Sequence, residues 1–227
     1  MTSKKQGHRG ARFWNWMADR YSRKPVPDQR VYEAKLEKSN RLLDSSHEVL
    51  EIGCGTGTTA IHHAPKVNRL IAIDYSEKMI EIARRKAREA GVSNVEFEVS
   101  SVTEWQCDPA RFDVILAHSI LHLVPNLSST LAQINQLLKP NGLLISTTPC
   151  IGDFFRAFRY INALGKAVGL MPHVSVFTEE QLKQWLHNAE FEIEQRWLPS
   201  PKAGLFLVAR KITRNTSTDD QIRIVAK

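Results

Sequence analysis

Nine consecutive residues carry the strongest chemical signal in this 227-residue chain. Val49-Leu50-Glu51-Ile52 reads as a strand, and Gly53-Cys54-Gly55-Thr56-Gly57 as the glycine-rich turn that follows it. Glycines let the main chain bend sharply and let a ligand come close to backbone atoms. A helix starting after the turn offers unpaired N–H groups to the same ligand. The spacing narrows the choice of ligand. A dinucleotide loop, G-x-G-x-x-G, needs a third glycine where Thr58 stands. A phosphate-cradling P-loop needs a lysine that is absent here. Glu51 lies close under the turn, where its charge repels a pyrophosphate and attracts a cation. Asp74 ends the next apolar run, 21 residues after Gly53. From that position an acid reaches ribose hydroxyls in nucleotide-binding α/β folds. The set therefore suits a nucleoside that carries positive charge and no phosphate.

Strand-length apolar runs surround this motif at 47–52, 69–73, 95–99, 112–117 and 142–146. Helical patterns alternate with them. Ser76 can cap a helix whose Ile80, Ala83, Ala87 and Ala90 share one face, with Gly91 as its stop. A second helix is predicted over 126–139, ended by Pro140-Asn141-Gly142. Strands alternating with helices imply a parallel sheet covered on both faces. Near the end, Thr178-Glu179-Glu180-Gln181 is a capping box opening a helix to about Ala189. Two strands, 191–198 and 204–211, follow with a short connection, so the sheet finishes antiparallel. The expected organisation is a basic flexible tail at 1–10, one domain over 11–211, and a C-terminal tail over 212–227. Within the domain, 11–43 form two N-terminal helices and 149–177 a lid insert.

Composition sets the outer limits. Hydrophobic residues make up 42% of the chain, enough for a core and too many for a disordered protein. Three cysteines are too few and too scattered for a disulfide scaffold, which points to a reducing cytoplasm. The formal net charge is +7, but residues 1–30 hold eight Lys/Arg against two Asp, and 201–227 six against two. The middle is left at −3, so a domain-wide basic face for nucleic acid is not supported. Contact of the basic ends with RNA or an anionic lipid surface stays open as the lesser reading. No signal peptide or transmembrane run is evident.

The glycine turn, Glu51, the strand-terminal Asp74 and the β/α alternation together resemble the class I S-adenosylmethionine (SAM)-dependent methyltransferases. The closest flavour is the bacterial small-molecule group that includes the ubiquinone and menaquinone biosynthesis type. The resemblance is clear over 48–147 and looser through 178–211. SAM has an ammonium and a sulfonium and no phosphate. The resemblance implies a Rossmann-like, doubly wound, seven-stranded sheet, mostly parallel with an antiparallel last strand. It implies that Gly53, Gly55 and Gly57 face the methionine part of SAM, with Glu51 and Cys54 in the same cofactor-binding set. Asp74 would bind the ribose hydroxyls, with Tyr75 and Met79 beside the adenine. The family often has an acid after the third strand for the adenine amino group. Here Val99-Ser100-Ser101-Val102 lacks it, leaving Ser101 and Val102 at that edge. The segment Phe112-Asp113-Val114-Ile115-Leu116-Ala117-His118-Ser119-Ile120-Leu121-His122 matches the fourth-strand region and puts Ala117 and His118 near the cofactor. Lys139-Pro140-Asn141-Gly142 matches the turn before the fifth strand.

Methyl transfer is an in-line displacement at an activated carbon, so alignment supplies much of the rate. A base is needed only when the acceptor must lose a proton. The candidate catalytic residues are His118 and Tyr21. His118 faces either the methyl group or, as a first-turn polar residue, water. Tyr21 is the candidate for closing over SAM. Glu51 has a second reading as a cap for backbone groups, and Asp74 as a helix cap in competition with Ser76. His118 and His122 have helical metal-ligand spacing, but no third ligand accompanies them and no metal is assigned. His122 reads as structural, His62 and His63 as surface residues, and Cys54 as space-filling. Cys150 lacks the rest of a nucleophile motif. Ala117-His118-Ser119-Ile120 stands where enzymes methylating exocyclic amines often carry an Asn/Asp-Pro-Pro-aromatic turn. Phe13, Trp14, Trp16 and Tyr21 offer one acceptor wall. The insert offers another, with Phe154, Phe155, Phe158, Tyr160, Phe177, Arg156 and Arg159. Packing of the added helices is the competing use for these aromatics. The reading is SAM-dependent methyl transfer to a small, apolar or aromatic acceptor. The alternatives are an RNA or protein methyltransferase docking through basic termini, and a non-enzymatic SAM-binding protein.

Overall fold

Seven strands form a single sheet in the computed structural model, which describes residues 2–155, 173–200 and 203–213, with side chains from residue 10 onward. The strands are β1 (Glu48–Ile52), β2 (Arg69–Asp74), β3 (Val95–Val99), β4 (Phe112–His118), β5 (Leu138–Thr148), β6 (Phe191–Trp197) and β7 (Leu205–Lys211). Their order is β3-β2-β1-β4-β5-β7-β6. The β3-β2-β1-β4-β5 pairings are parallel, and β7 runs antiparallel between β5 and β6. This is the doubly wound sheet with an antiparallel finish that the alternation predicts. The order reverses beside β1, and ligands of such sheets bind at that reversal, beyond the strand C-termini.

Two apolar layers sandwich the sheet. On one face Leu50, Ile52, Ile71, Ile73 and Ile115 pack with Leu131 and Ile134 of α5 (Leu127–Leu137) and Leu182 and Leu186 of α7 (Glu179–Asn188). On the other face Val49, Leu70, Ala72, Val114 and Leu116 meet Ala60 of α3 (Thr58–His63) and Ile80 and Ala83 of α4 (Glu77–Glu89). Burial on both sides explains why the central strands read as unbroken apolar runs. Glu51 interrupts that pattern near the C-terminal end of β1.

Local chemistry fixes most helix starts. Ser76 Oγ accepts from Met79 N at 3.2 Å, and Asn126 Oδ1 from Ser129 N at 3.1 Å. Thr178 and Gln181 form the reciprocal capping box. Asp28 Oδ1 accepts from Val31 N and starts α2 (Gln29–Asn40). Other expectations change. The first helix, α1 (Thr2–Arg23), runs back through the stretch expected as a tail. β5 begins at Leu138, because that residue already pairs with Phe112. His63 is buried rather than on the surface, since α2 covers it and Asn40 Oδ1 meets its Nδ1 at 2.7 Å. Phe177 is a core residue stacked edge-on to Trp185, not a free lid aromatic. Of the insert, α6 (Ile151–Phe154) is described. Arg156, Phe158, Arg159 and Tyr160 lie outside the described residues. Among the described residues, no helix is long and apolar enough to cross a membrane.

Candidate active site

A cleft, partly open to solvent, lies over the C-terminal ends of β1, β2 and β4. Gly53 and Gly55 form its floor, Asp74, Tyr75 and Met79 one side, and His118 to Ile120 with Leu123 the other. Trp14 and Tyr21 of α1 close over it.

The glycine turn has left-handed backbone at three positions, with φ of +66° at Gly53, +53° at Gly55 and +74° at Gly57. L-residues rarely adopt that conformation. Space around the three separates their jobs. A Cβ on Gly53 would lie 2.5 Å from Ile120, and one on Gly57 2.7 Å from Ala83. A Cβ on Gly55 would meet nothing nearer than the Tyr21 ring at 4.0 Å. Gly55 is therefore the open cradle, whereas Gly57 packs against α4 and Phe97 and does not line the cleft. Cys54 sits behind the turn, and burial first, then Asp74 and Glu51, push its thiol well up, so it is un-ionised filler.

Asp74 holds the turn. Its Oδ2 accepts from Gly55 N at 3.0 Å and its Oδ1 from Ser76 N at 2.9 Å. Both oxygens keep a further lone pair, and the residue borders the cleft. Burial raises its pKa, and the two backbone N–H groups offset part of that rise. Ser76 caps α4, so the two residues divide the work that the sequence leaves to either.

Behind the turn lies a buried polar group of residues. Glu51 is sealed from solvent, and its Oε2 has no hydrogen-bond partner. Burial pushes its pKa up to about 8, against the pull of Lys35 and with the repulsion of Asp74. Lys35 comes from α2, with its ammonium 4.6 Å from the centre of the Tyr32 ring. Burial pulls its pKa down, and Glu51 opposes that. His118 Nδ1 meets Thr147 Oγ1 of β5 at 3.0 Å, while its Nε2 is buried without a partner. Burial, then Lys35 and His63, hold His118 well below the usual imidazole range, so the ring is neutral. The next residue, Ser119, has φ +57°, and its N–H donates to Thr147 O at 2.7 Å. Such a conformation in a residue other than glycine costs energy and tends to mark functional turns.

Tyr75 lines the cleft, its ring 3.0 Å from the place a Cβ on Gly10 would take. Met79 packs with Ala18 and Trp14. Besides Cys54 and Gly57, three more expected cofactor residues fall outside the cleft. Ala117 points into the α5 layer, because alternation along β4 sends it to the face opposite His118. Val102 is core on that same side. Ser101 Oγ is taken up by Thr103 and Glu104 outside the cleft. Reading the sequence alone misses Lys35, Thr147, Ser119, Ile120 and Leu123. Register could have flagged Thr147, which pairs directly with His118 across β4 and β5. Lys35 has no local signal. Among the described residues, no three His, Cys, Asp or Glu side chains form a group that could hold a metal ion.

Residues 43–197, more than half of the chain, match the sequence model of a family described as "Methyltransferase domain". The chain belongs to the class I SAM-dependent methyltransferases. This methyltransferase is similar to "Uncharacterized methyltransferase YcgJ" of Bacillus subtilis (strain 168), with 31% identity over 98 residues. That alignment covers 43% of the chain and 39% of YcgJ, so the chain spans well under two thirds of this relative. It is also similar to a ubiquinone biosynthesis O-methyltransferase of Xanthomonas euvesicatoria pv. vesicatoria, 30% identical over 162 residues. There the alignment covers 69% of the chain and 67% of the relative. In fold it resembles the crystal structure of geranyl diphosphate C-methyltransferase from Streptomyces coelicolor A3(2), with a TM-score of 0.73 and 13% identity, over 91% of this chain and 98% of that one. The residues at and behind the cleft fit the family's cofactor: a cradle open at Gly55, a strand-end carboxylate at Asp74, and a buried carboxyl at Glu51 with one unpaired oxygen.

Proposed function

We propose that this methyltransferase moves the methyl group of SAM onto a small, apolar or aromatic acceptor. The observation that carries the reading is the wall of the cleft. Among the described residues, Trp14, Tyr21, Ile120 and Leu123 line it, and Asp74 is the one acid or base of formal charge beside them. Such a wall suits an apolar ring or chain. Relatives named for ubiquinone and menaquinone biosynthesis are in keeping with it.

Bound SAM would supply an activated methyl group. The residues of this chain would do the rest. Asp74 would accept from the ribose hydroxyls, and Gly53 and Gly55 would let the methionine part lie against the backbone. Glu51 would face the ammonium and Lys35 the carboxylate of that part. Tyr75 and Met79 would flank the base. His118 is neutral and held by Thr147, so it would align the acceptor rather than store a proton. Tyr21 would close over the reacting groups and shut out water, which strengthens alignment.

Two measurements test this. Calorimetry should show that Asp74→Ala and Gly55→Arg each weaken SAM binding at least about tenfold, or about 1.4 kcal/mol, in folded protein. Unchanged affinity in both would remove the cofactor assignment. Labelled SAM offered with phenolic and alkyl-chain acceptors, RNA and protein should deliver label to the small acceptors. Label in RNA or protein instead, or SAM bound with no transfer at all, would move the reading to one of the alternatives.

A further inference from the structure

Seven large apolar side chains stand exposed among the described residues, and three of them fall between residues 16 and 26. They are Trp16, 73% exposed, Tyr21, 47%, and Val26, 40%. Arg12, Arg20, Arg23 and Lys24, all exposed, accompany them. Arg12, Trp16, Arg20 and Arg23 recur at steps of four, four and three, so they share one face of α1. The opposite face carries Trp14 and Ala18, which pack on Met79 and Ile82 of α4. Asp19 is the one acid on this half of the helix, and it acts on Lys78 of α4.

We propose that the outer face of α1 and the loop after it dock on an anionic lipid bilayer. An indole rimmed by arginines on an amphipathic helix is suited to the boundary between headgroups and acyl chains. Arginines near that boundary gain from the negative potential of acidic headgroups. Tyr21 shares the inner face of α1 with Ala18 but is 47% exposed, so it links the cleft it lines to the solvent beside the patch. On the proposed function, an apolar acceptor dissolved in the bilayer would enter at Tyr21 without crossing water. That last step rests on the acceptor reading, whereas the docking does not. RNA fits the same arginines less well. Stacking platforms for bases combine a basic groove with aromatic rings. Here one indole stands on a convex helix, and residues 31–200 are net acidic.

Flotation of the full chain with vesicles separates these possibilities. At about 0.1 M salt, chain should float with phosphatidylglycerol–phosphatidylcholine vesicles and not with pure phosphatidylcholine, and the bound fraction should fall as salt rises. Trp16→Ala and the double variant Arg20→Glu/Arg23→Glu should each cut flotation by about fivefold or more. SAM affinity in these variants should match wild type, which checks the fold and the cofactor site independently. Equal binding to both vesicle types, or variants that float like wild type, would overturn the proposal. So would binding of single-stranded RNA by the same face with vesicles ignored. Failure of methyl transfer in solution would leave the docking result standing.

Discussion

Glu51 is a carboxyl group that the fold buries with one oxygen unpaired. A buried acid avoids the cost of charge by keeping its proton, which is why its pKa reaches about 8. An ammonium group brought against it favours the ionised form. SAM binding near pH 6.5 should then release up to about one proton from this site. Calorimetry in two buffers of different ionisation enthalpy measures that number directly. Wild type should release more than Glu51→Gln, and equal release would exclude Glu51 from contact with the cofactor. The position of Glu51 under the turn is legible in the sequence. Its buried surroundings are not, because Lys35 and Asp74 reach it from elements that only folding brings near.

α1 illustrates the element scale. Its periodicity gives an apolar stripe and a basic stripe, but the tertiary packing decides that Trp14 and Tyr21 reach the cleft while Trp16 faces solvent. Gly10 backs the Tyr75 ring. Removing residues 1–9 should therefore leave the SAM dissociation constant within about twofold. Removing 1–23 takes away Trp14 and Tyr21 and should raise it about tenfold or more. Titration of both truncations checks this, and equal affinities would mean that α1 does not close over the cofactor. The caps at Ser76 and Thr178 are legible because each satisfies backbone groups within three residues of itself. The same φ serves a tight turn at Gly57 and an open cradle at Gly55. The presence of Ala83 above one glycine and empty space above another separates the two.

At the scale of the whole molecule, buried histidines govern the response to acid. His118 is held neutral by burial, His63 is lowered to about 3 and His122 to about 4. The unfolded chain takes protons on these groups below about 6.5 and the folded chain does not, so stability falls as pH drops. Each contributes about 1.4 kcal/mol per pH unit in that window. Glu51 has the opposite sign. The folded chain keeps its proton from 4.5 to about 8 while the unfolded chain has lost it, so stability falls as pH rises through that range. Asp74, also raised by burial, acts in the same sense starting lower. Three histidines outweigh two acids below 6.5, and above it the raised acids, Glu51 foremost, set the slope. Tm should peak near pH 6.5, with the steeper limb on the acid side, and Glu51→Gln should flatten the alkaline limb. Thermal unfolding from pH 4.5 to 8 tests this; an alkaline limb unchanged by Glu51→Gln would contradict it.

The β/α alternation, the antiparallel finish, the caps at Ser76 and Thr178, the glycine turn and the two acids at strand ends follow from the sequence. All of these depend on residues close in the chain or on the period of apolar side chains. Which face of β4 meets the cleft is set by long-range packing, so that His118 lines it and Ala117 does not. Only packing joined Lys35, Glu51, His118 and Thr147 from four different elements, and left one face of α1 outward with its indole exposed. Contacts between distant segments leave no pattern along the chain, because nothing in the local spacing records which surfaces close on one another.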